Sequence, residues 1–225
     1  MRLLLPMLLK IENQMKNILI FILILCVLQT AAQKEDTVIT NEVYTSHFSY
    51  ALREPLYVVY KLYQGGGNCD RSQFHFTTGG LPNSALPMDY AATGYDEGHL
   101  CNAEDEANNC ERDGLTFRFY NCVPQTRRLN RGIWKVWETT IRAESKADSL
   151  LIICGSIFSN KMTGRLYVPV KCWKVVYSLT THQLMHCMLF PNDNSDTVET
   201  IDIDALKKMV PYTISDIISE PAISN

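Results

Sequence analysis

Strand-forming runs stand on both sides of one amphipathic helix without regular βαβ alternation, and that order limits the chain's fold most. Residues 56–63 are dense in aromatic and β-branched side chains, 150–155 are continuously apolar, and 166–179 with 184–190 read as a hairpin. Between them Ile133, Trp134, Trp137 and Ile141 recur at helical spacing, which predicts a helix from residue 129 to about 146. Residues 71–77, with Phe74 and Phe76 alternating, are expected to extend the sheet, and 115–120 alternate as another strand. A short helix is expected over 203–210, followed by an irregular tail. The pattern predicts an α+β fold, a mostly antiparallel sheet with the helix packed against it. With 46% apolar residues in 225, one substantial core can form.

The N-terminus differs from the rest. Met15-Lys16-Asn17 is a short positive start, residues 18–28 are apolar, and Thr30-Ala31-Ala32 supplies small side chains, so residues 1–32 read as a secretory signal, with Met15 as an alternative start. The apolar run is shorter than the roughly 20 residues a membrane span needs, so export to periplasm or medium is expected, with no stable span after signal removal. Leu25 before Cys26 is bulky where a lipoprotein cleavage site wants a small residue, which argues against lipidation. Residues 33–46 then read as a polar lead-in and 47–225 as a single domain.

Removing the signal takes three basic residues (Arg2, Lys10, Lys16) from 21 and one acidic residue (Glu12) from 24, which leaves a net charge of −5. Overall charge therefore cannot attract a polyanion, and such binding would need a local basic patch. Arg127, Arg128, Arg131, Lys135 and Arg142 could form one. The exported part holds seven cysteines, enough for up to three disulfides in an oxidising compartment. No C-x-x-C or zinc-finger spacing occurs. Cys172 with Cys187 is the pairing expected first, Cys101 with Cys110 the second, and the odd cysteine is expected to be buried.

Two blocks carry chemistry-bearing residues. Asp96-Glu97-Gly98-His99 follows a long irregular connection, and Leu129-Asn130-Arg131-Gly132-Ile133-Trp134 leads on to Glu138 and Arg142. A neutral imidazole can take a proton from water near pH 7, and an amide oxygen can hold a hard cation that keeps most of its waters. On one continuous helix Asn130 and Glu138 would stand about 12 Å apart along the axis and about 80° around it, too far apart to share one ion's inner shell. Plainer readings stand beside these. A lone His can be structural, Asn130 can cap the helix, and Glu138 with Arg142 can be an i, i+4 ion pair.

Taken together, Tyr95-Asp96-x-Gly98-His99-Leu100, Asn121-x-x-Pro124-Gln125, Leu129-Asn130-x-Gly132-x-Trp134 and Glu138 resemble the DNA/RNA non-specific endonucleases, which include secreted bacterial nucleases and mitochondrial endonuclease G. The resemblance spans roughly residues 57–209 and implies the ββα-metal (His-Me finger) nuclease fold. It implies His99 as general base, Asn130 as the protein's direct ligand to Mg²⁺ (with Mn²⁺ able to substitute), and Glu138 holding metal-bound water. It also implies that Asn121 orients the site, that Arg142 and Arg71 meet phosphate, that DNA and/or RNA is the substrate, and that products carry 5′-phosphates. The family usually has Asp-Arg-Gly-His, whereas here Glu97 stands where that arginine would be, and an anion there is expected to raise the His99 pKa and repel phosphate. Two alternatives follow from that departure and from the acidic charge: a nuclease scaffold that only binds nucleic acid or a partner, and a phosphodiesterase for small phosphoesters.

Overall fold

The computed structural model describes residues 35–214. The signal assigned to residues 1–32 and most of the irregular tail lie outside them.

A seven-stranded, wholly antiparallel sheet forms the body, in the order β1 (Thr37–Thr40), β2 (Tyr44–Ser49), β3 (Glu54–Leu62), β6 (Leu150–Thr163), β7 (Leu166–Ser178), β8 (Leu184–Pro191) and β9 (Glu199–Thr200). The expected hairpin is β7–β8, and the short C-terminal helix is Ile203–Met209. Both faces of the sheet are covered. Successive strand residues point to opposite faces, and Trp173 and Lys174 on β7 show what lies on each. Trp173 donates to the Tyr212 hydroxyl at 3.2 Å, and Tyr212 stacks on Tyr57 at 5.8 Å. On the other face the Lys174 ammonium sits 4.3 Å from the centre of the Trp134 ring.

A smaller two-stranded sheet, β4 (Tyr95–His99) with β5 (Cys122–Thr126), lies against the large one. Asn192 at the end of β8 joins the two. Its Nδ2 donates to the carbonyls of Pro124 and Pro169, at 2.8 and 2.9 Å, and its Oδ1 accepts from the Thr126 amide at 2.8 Å. The described residues contain no helix long and apolar enough to cross a membrane.

The structure corrects several expectations. The polar lead-in contributes β1 and the start of β2, because Thr37–Thr40 alternates half-buried and exposed residues as an edge strand does. Residues 71–77 form no strand. Only Thr77 bridges to Arg118, and the alternating Phe74 and Phe76 pack as tilted rings against Phe117 instead. Residues 115–120 are not a strand either: Asn109 accepts from the amides of Glu111 and Arg112, which starts a helix at Cys110–Thr116, and a 3₁₀ turn at Phe119–Asn121 follows. The central helix is two helices, Arg127–Arg131 and Ile133–Glu144, broken at Gly132. Thr126, not Asn130, caps the first by accepting from the Leu129 amide, and a Cβ on Gly132 would meet the Arg128 carbonyl at 2.3 Å. The second helix buries Trp134, Glu138 and Ile141 along one stripe.

The disulfide expectations also fail. The bridge is Cys69–Cys110. Cys172 faces Phe190 and Cys187 faces Val175, so the two thiols are not opposite each other. Cys101, Cys122, Cys154, Cys172 and Cys187 are free and buried.

Candidate active site

The β4–β5 hairpin followed by the helix Arg127–Arg131 makes a ββα unit. In its register Asp96 faces Gln125 and His99 faces Cys122. Gly98 lies where the buried Gln125 side chain crosses β4. A Cβ there would stand 2.2 Å from Oε1 and 2.3 Å from Cδ, so only glycine leaves room. Two residues earlier, the Asp96 carboxylate receives Nδ2 of Asn130 at 3.0 Å and both arms of the Arg131 fork, at 2.7 and 2.8 Å. Burial opposes its ionisation, but Arg131 and Asn130 hold its carboxyl below the usual range. Nδ2 of Asn130 is spent on Asp96, and its Oδ1 has no donor among the described residues.

His99 sits between two aromatic rings, with Phe76 tilted at 4.7 Å and Phe117 edge-on at 4.8 Å. Its Nε2 is buried and has no hydrogen-bond partner. Burial, together with the charge of Arg71, pushes its pKa down to about 3, so the ring is neutral across the physiological range. The expectation that Glu97 raises this pKa is therefore overturned: desolvation and a cation dominate. The fully buried Asn121 makes three hydrogen bonds, accepting from the Cys101 amide and donating to the carbonyls of Cys101 and Thr116. It pins the chain directly after His99.

That segment carries the other wall of the site. Arg142 gives Nε to Asp105 Oδ1 at 2.8 Å and Nη2 to Asn102 Oδ1 at 2.9 Å. Asn102 in turn hydrogen-bonds Glu138, and Tyr60 donates to Asp105 at 3.0 Å. Burial pushes the Glu138 carboxyl up to about 7, while Lys174, Asn102 and Arg142 act against that rise. Asp105 is raised by burial too, and Lys174 stays charged because Cys154, Glu138 and Asp105 outweigh its own desolvation. Two carboxyls and two cations thus share one buried cluster behind the helix Ile133–Glu144. The structure places Arg71 near enough for its charge to act on His99, ties Asn130 to Asp96 on the strand that ends at His99, and ties Glu138 and Arg142 to the turn after it. Arg71 also pairs with Glu104.

The suggested basic patch is mostly neutralised. Arg131 pairs with Asp96, Arg128 with Asp196, and Arg142 is inside. Lys135 is exposed, with no ion-pair partner among the described residues.

Among the described residues no group of three or more His, Cys, Asp or Glu could hold a metal ion. A hard cation that keeps most of its waters still fits, because the free Asn130 Oδ1 is a hard donor held in place by Asp96.

Sequence reasoning gave no role to Asp96, Asn102, Asp105, Lys174 or Asn192. The first three lie within six residues of His99, and Lys174 was signalled only as a charge within the apolar run Trp173-Lys174-Val175-Val176.

The family model for DNA/RNA non-specific endonucleases matches residues 25–215. A curated nuclease from Nostoc sp. is 28% identical over 143 residues, which is 56% of this chain and 52% of that protein. The chain thus spans about half the length of this curated relative. The crystal structure of the EndoG/EndoGI complex, which addresses the mechanism of EndoG inhibition, aligns with a TM-score of 0.69 at 21% identity over 79% of this chain and 84% of that one. At that identity the likeness establishes a shared fold.

Proposed function

We propose that this chain, which belongs to the DNA/RNA non-specific endonuclease family, hydrolyses phosphodiester bonds of DNA and/or RNA with Mg²⁺ as cofactor after export from the cytoplasm. The observation that carries the reading is the His99 ring: neutral, enclosed by Phe76 and Phe117, and with a buried Nε2 that no protein group satisfies. Such a nitrogen suits accepting a proton from water. A pKa near 3 makes the ring a weak base in the free protein, but a substrate phosphate would place negative charge beside it and raise its proton affinity.

Asn130 would hold the cation through Oδ1, with Asp96 keeping the amide from rotating. Bound there, a hard divalent ion supplies Lewis-acid withdrawal of phosphate charge. His99 takes a proton from water as the water oxygen attacks phosphorus in line. The bond to the 3′ oxygen breaks, that oxygen takes a proton from solvent water, His99 returns its proton to solvent, and the products carry a 5′-phosphate and a 3′-hydroxyl. Arg71, whose charge acts on His99 and whose present partner is Glu104, would meet developing phosphate charge by exchanging that carboxylate for phosphate. Arg142 spends Nε and Nη2 on Asp105 and Asn102, so it acts as a positioning residue, holding Asn102 against Glu138. The N-terminal signal pattern and the Cys69–Cys110 bridge support export to an oxidising compartment.

The test is to incubate protein lacking residues 1–32 with plasmid DNA and with RNA, with and without Mg²⁺, beside His99→Ala. Magnesium-dependent degradation that is lost in a folded variant is expected. Undiminished turnover by His99→Ala would overturn the assignment.

A further inference from the structure

Beside the candidate site the surface carries an open cleft of about 580 Å³ that the chemistry above does not use. Its walls are the segment after Arg71 and the helix Cys110–Thr116, with Phe74, Phe117 and Gly114 supplying the apolar surface and Gln73, His75 and Arg118 its polar margin. Phe117 is shared with the active site. Its ring is T-shaped to His99 with centres 4.8 Å apart, and the tilted Phe74 ring lies 5.3 Å from it. Gly114 lies beside the Phe74 ring, where an added Cβ would make ordinary van der Waals contact at 3.4 Å. Arg118 is fixed by Nη1 donating to Thr77 Oγ1 and to the Phe117 carbonyl, at 3.2 and 3.1 Å. Among the described residues, Gln73 and His75 have no partner that would prevent them meeting the edge of a bound group, apart from the Gln73–Ser72 contact at 3.3 Å.

We propose that this cleft is a base-stacking subsite of the active site, which takes the nucleobase next to the cleaved phosphate of a single-stranded nucleic acid. The inference rests on the nucleic-acid reading above and adds the part of the substrate that the enzyme grips. Three observations favour a base over other occupants. The lining is aromatic and mostly apolar, which suits a flat π-face. Glu111 and Arg118 put one charge of each sign on the lining, so the cleft has no net attraction for phosphate, while an uncharged base can enter. Nucleotides repeat about every 3.4 Å along a stacked strand, so a phosphate at His99 puts its neighbouring base within reach of Phe117 and Phe74. Recognition of this kind needs an unstacked base, so single strands should be held better than duplex.

Phe74 touches neither His99 nor the residues assigned to the metal, so it is the residue to change. In the His99→Ala background, where substrate is held and not cut, a single-stranded oligonucleotide carrying 2-aminopurine should be quenched on binding. Phe74→Ala should weaken its binding about ten-fold and abolish the quench, Phe74→Tyr should retain both, and Phe74→Leu should not restore the quench. In the protein with His99 intact, Phe74→Ala should raise KM for the oligonucleotide about ten-fold relative to KM for methyl p-nitrophenyl phosphate, which has no base. Unchanged Kd and quench in a folded Phe74→Ala protein would overturn the subsite, as would failure of the oligonucleotide to bind at all. If the wild type binds the oligonucleotide but cuts no diester, the hydrolase reading fails, and the quench comparison still decides the subsite.

Discussion

Replacing Gly98 with alanine should damage both stability and catalysis, through one identifiable contact. The new methyl would stand 2.2 Å from Gln125 Oε1, 2.3 Å from Cδ and 2.5 Å from Cγ. Carbon contacts settle at about 3.5 Å, so Gln125 or β4 must retreat by roughly 1 Å. The glutamine cannot swing into solvent, because it is fully buried and its Nε2 points at Cys172 Sγ at 3.5 Å. Overpacking of this kind costs about 1–3 kcal/mol. For a domain of this size about 2 kcal/mol lowers Tm by about 4–8 °C. His99 follows Gly98 directly, and a shift of about 1 Å in a reacting group can cost about 100-fold in rate. The assay is a set of four melts with parallel kcat measurements: wild type, Gly98→Ala, Gln125→Ala and the double variant. Truncating Gln125 removes the obstacle, so the double variant should melt close to Gln125→Ala alone, with a favourable coupling of about 1–3 kcal/mol. Strict additivity of the two losses would refute the clash.

The Glu138 carboxyl, held near pH 7 by burial, is raised above its unfolded value, so its contribution to stability is full below about pH 4.5 and is lost as pH rises through 7. Glu138→Gln should flatten the Tm difference between pH 5 and pH 8, and an unchanged difference would count against the shift. Asp96→Asn should free the Asn130 amide and Arg131 and weaken divalent-cation activation about 10- to 100-fold, read by titrating Mg²⁺ against the cleavage rate; wild-type activation would show that Asp96 does not hold the ligand. The Cys69–Cys110 bridge closes a separation of 41 residues, which chain entropy values at about 4 kcal/mol. Cys69→Ser should therefore melt well below wild type, and a melt within about 2 °C of wild type would refute that.

How much could be read in advance depended on whether the signal was local. β3, the β7–β8 hairpin and the C-terminal helix announce themselves through uninterrupted patterns, and the Asp96–His99 and Asn130–Glu138 blocks through spacing. The strand expected over 115–120 failed because alternation of Leu115, Phe117 and Phe119 looks the same whether it lines a sheet or a helix end plus a turn, and the Asn109 cap decided between them. The continuous helix failed because helical periodicity survives a one-residue break, while the cause, a backbone approach at Gly132, has no pattern. The buried cluster of Asp105, Lys174, Glu138 and Arg142 brings together residues up to 69 positions apart, so only the folded chain reveals it. Disulfide pairing likewise depended on strand register, which cysteine spacing does not contain.

Asn192 gives the site its mechanical character. One side chain at the end of β8 spans the seam between the β4–β5 pair and the main sheet, with two hydrogen bonds to β5 and one to Pro169 of β7. The pair therefore cannot detach without breaking the bonds to Pro124 and Thr126, each loss costing about 1–3 kcal/mol. Amide hydrogens of β4 and β5 should consequently exchange with those of β6, β7 and β8 in a single cooperative opening, as one foldon.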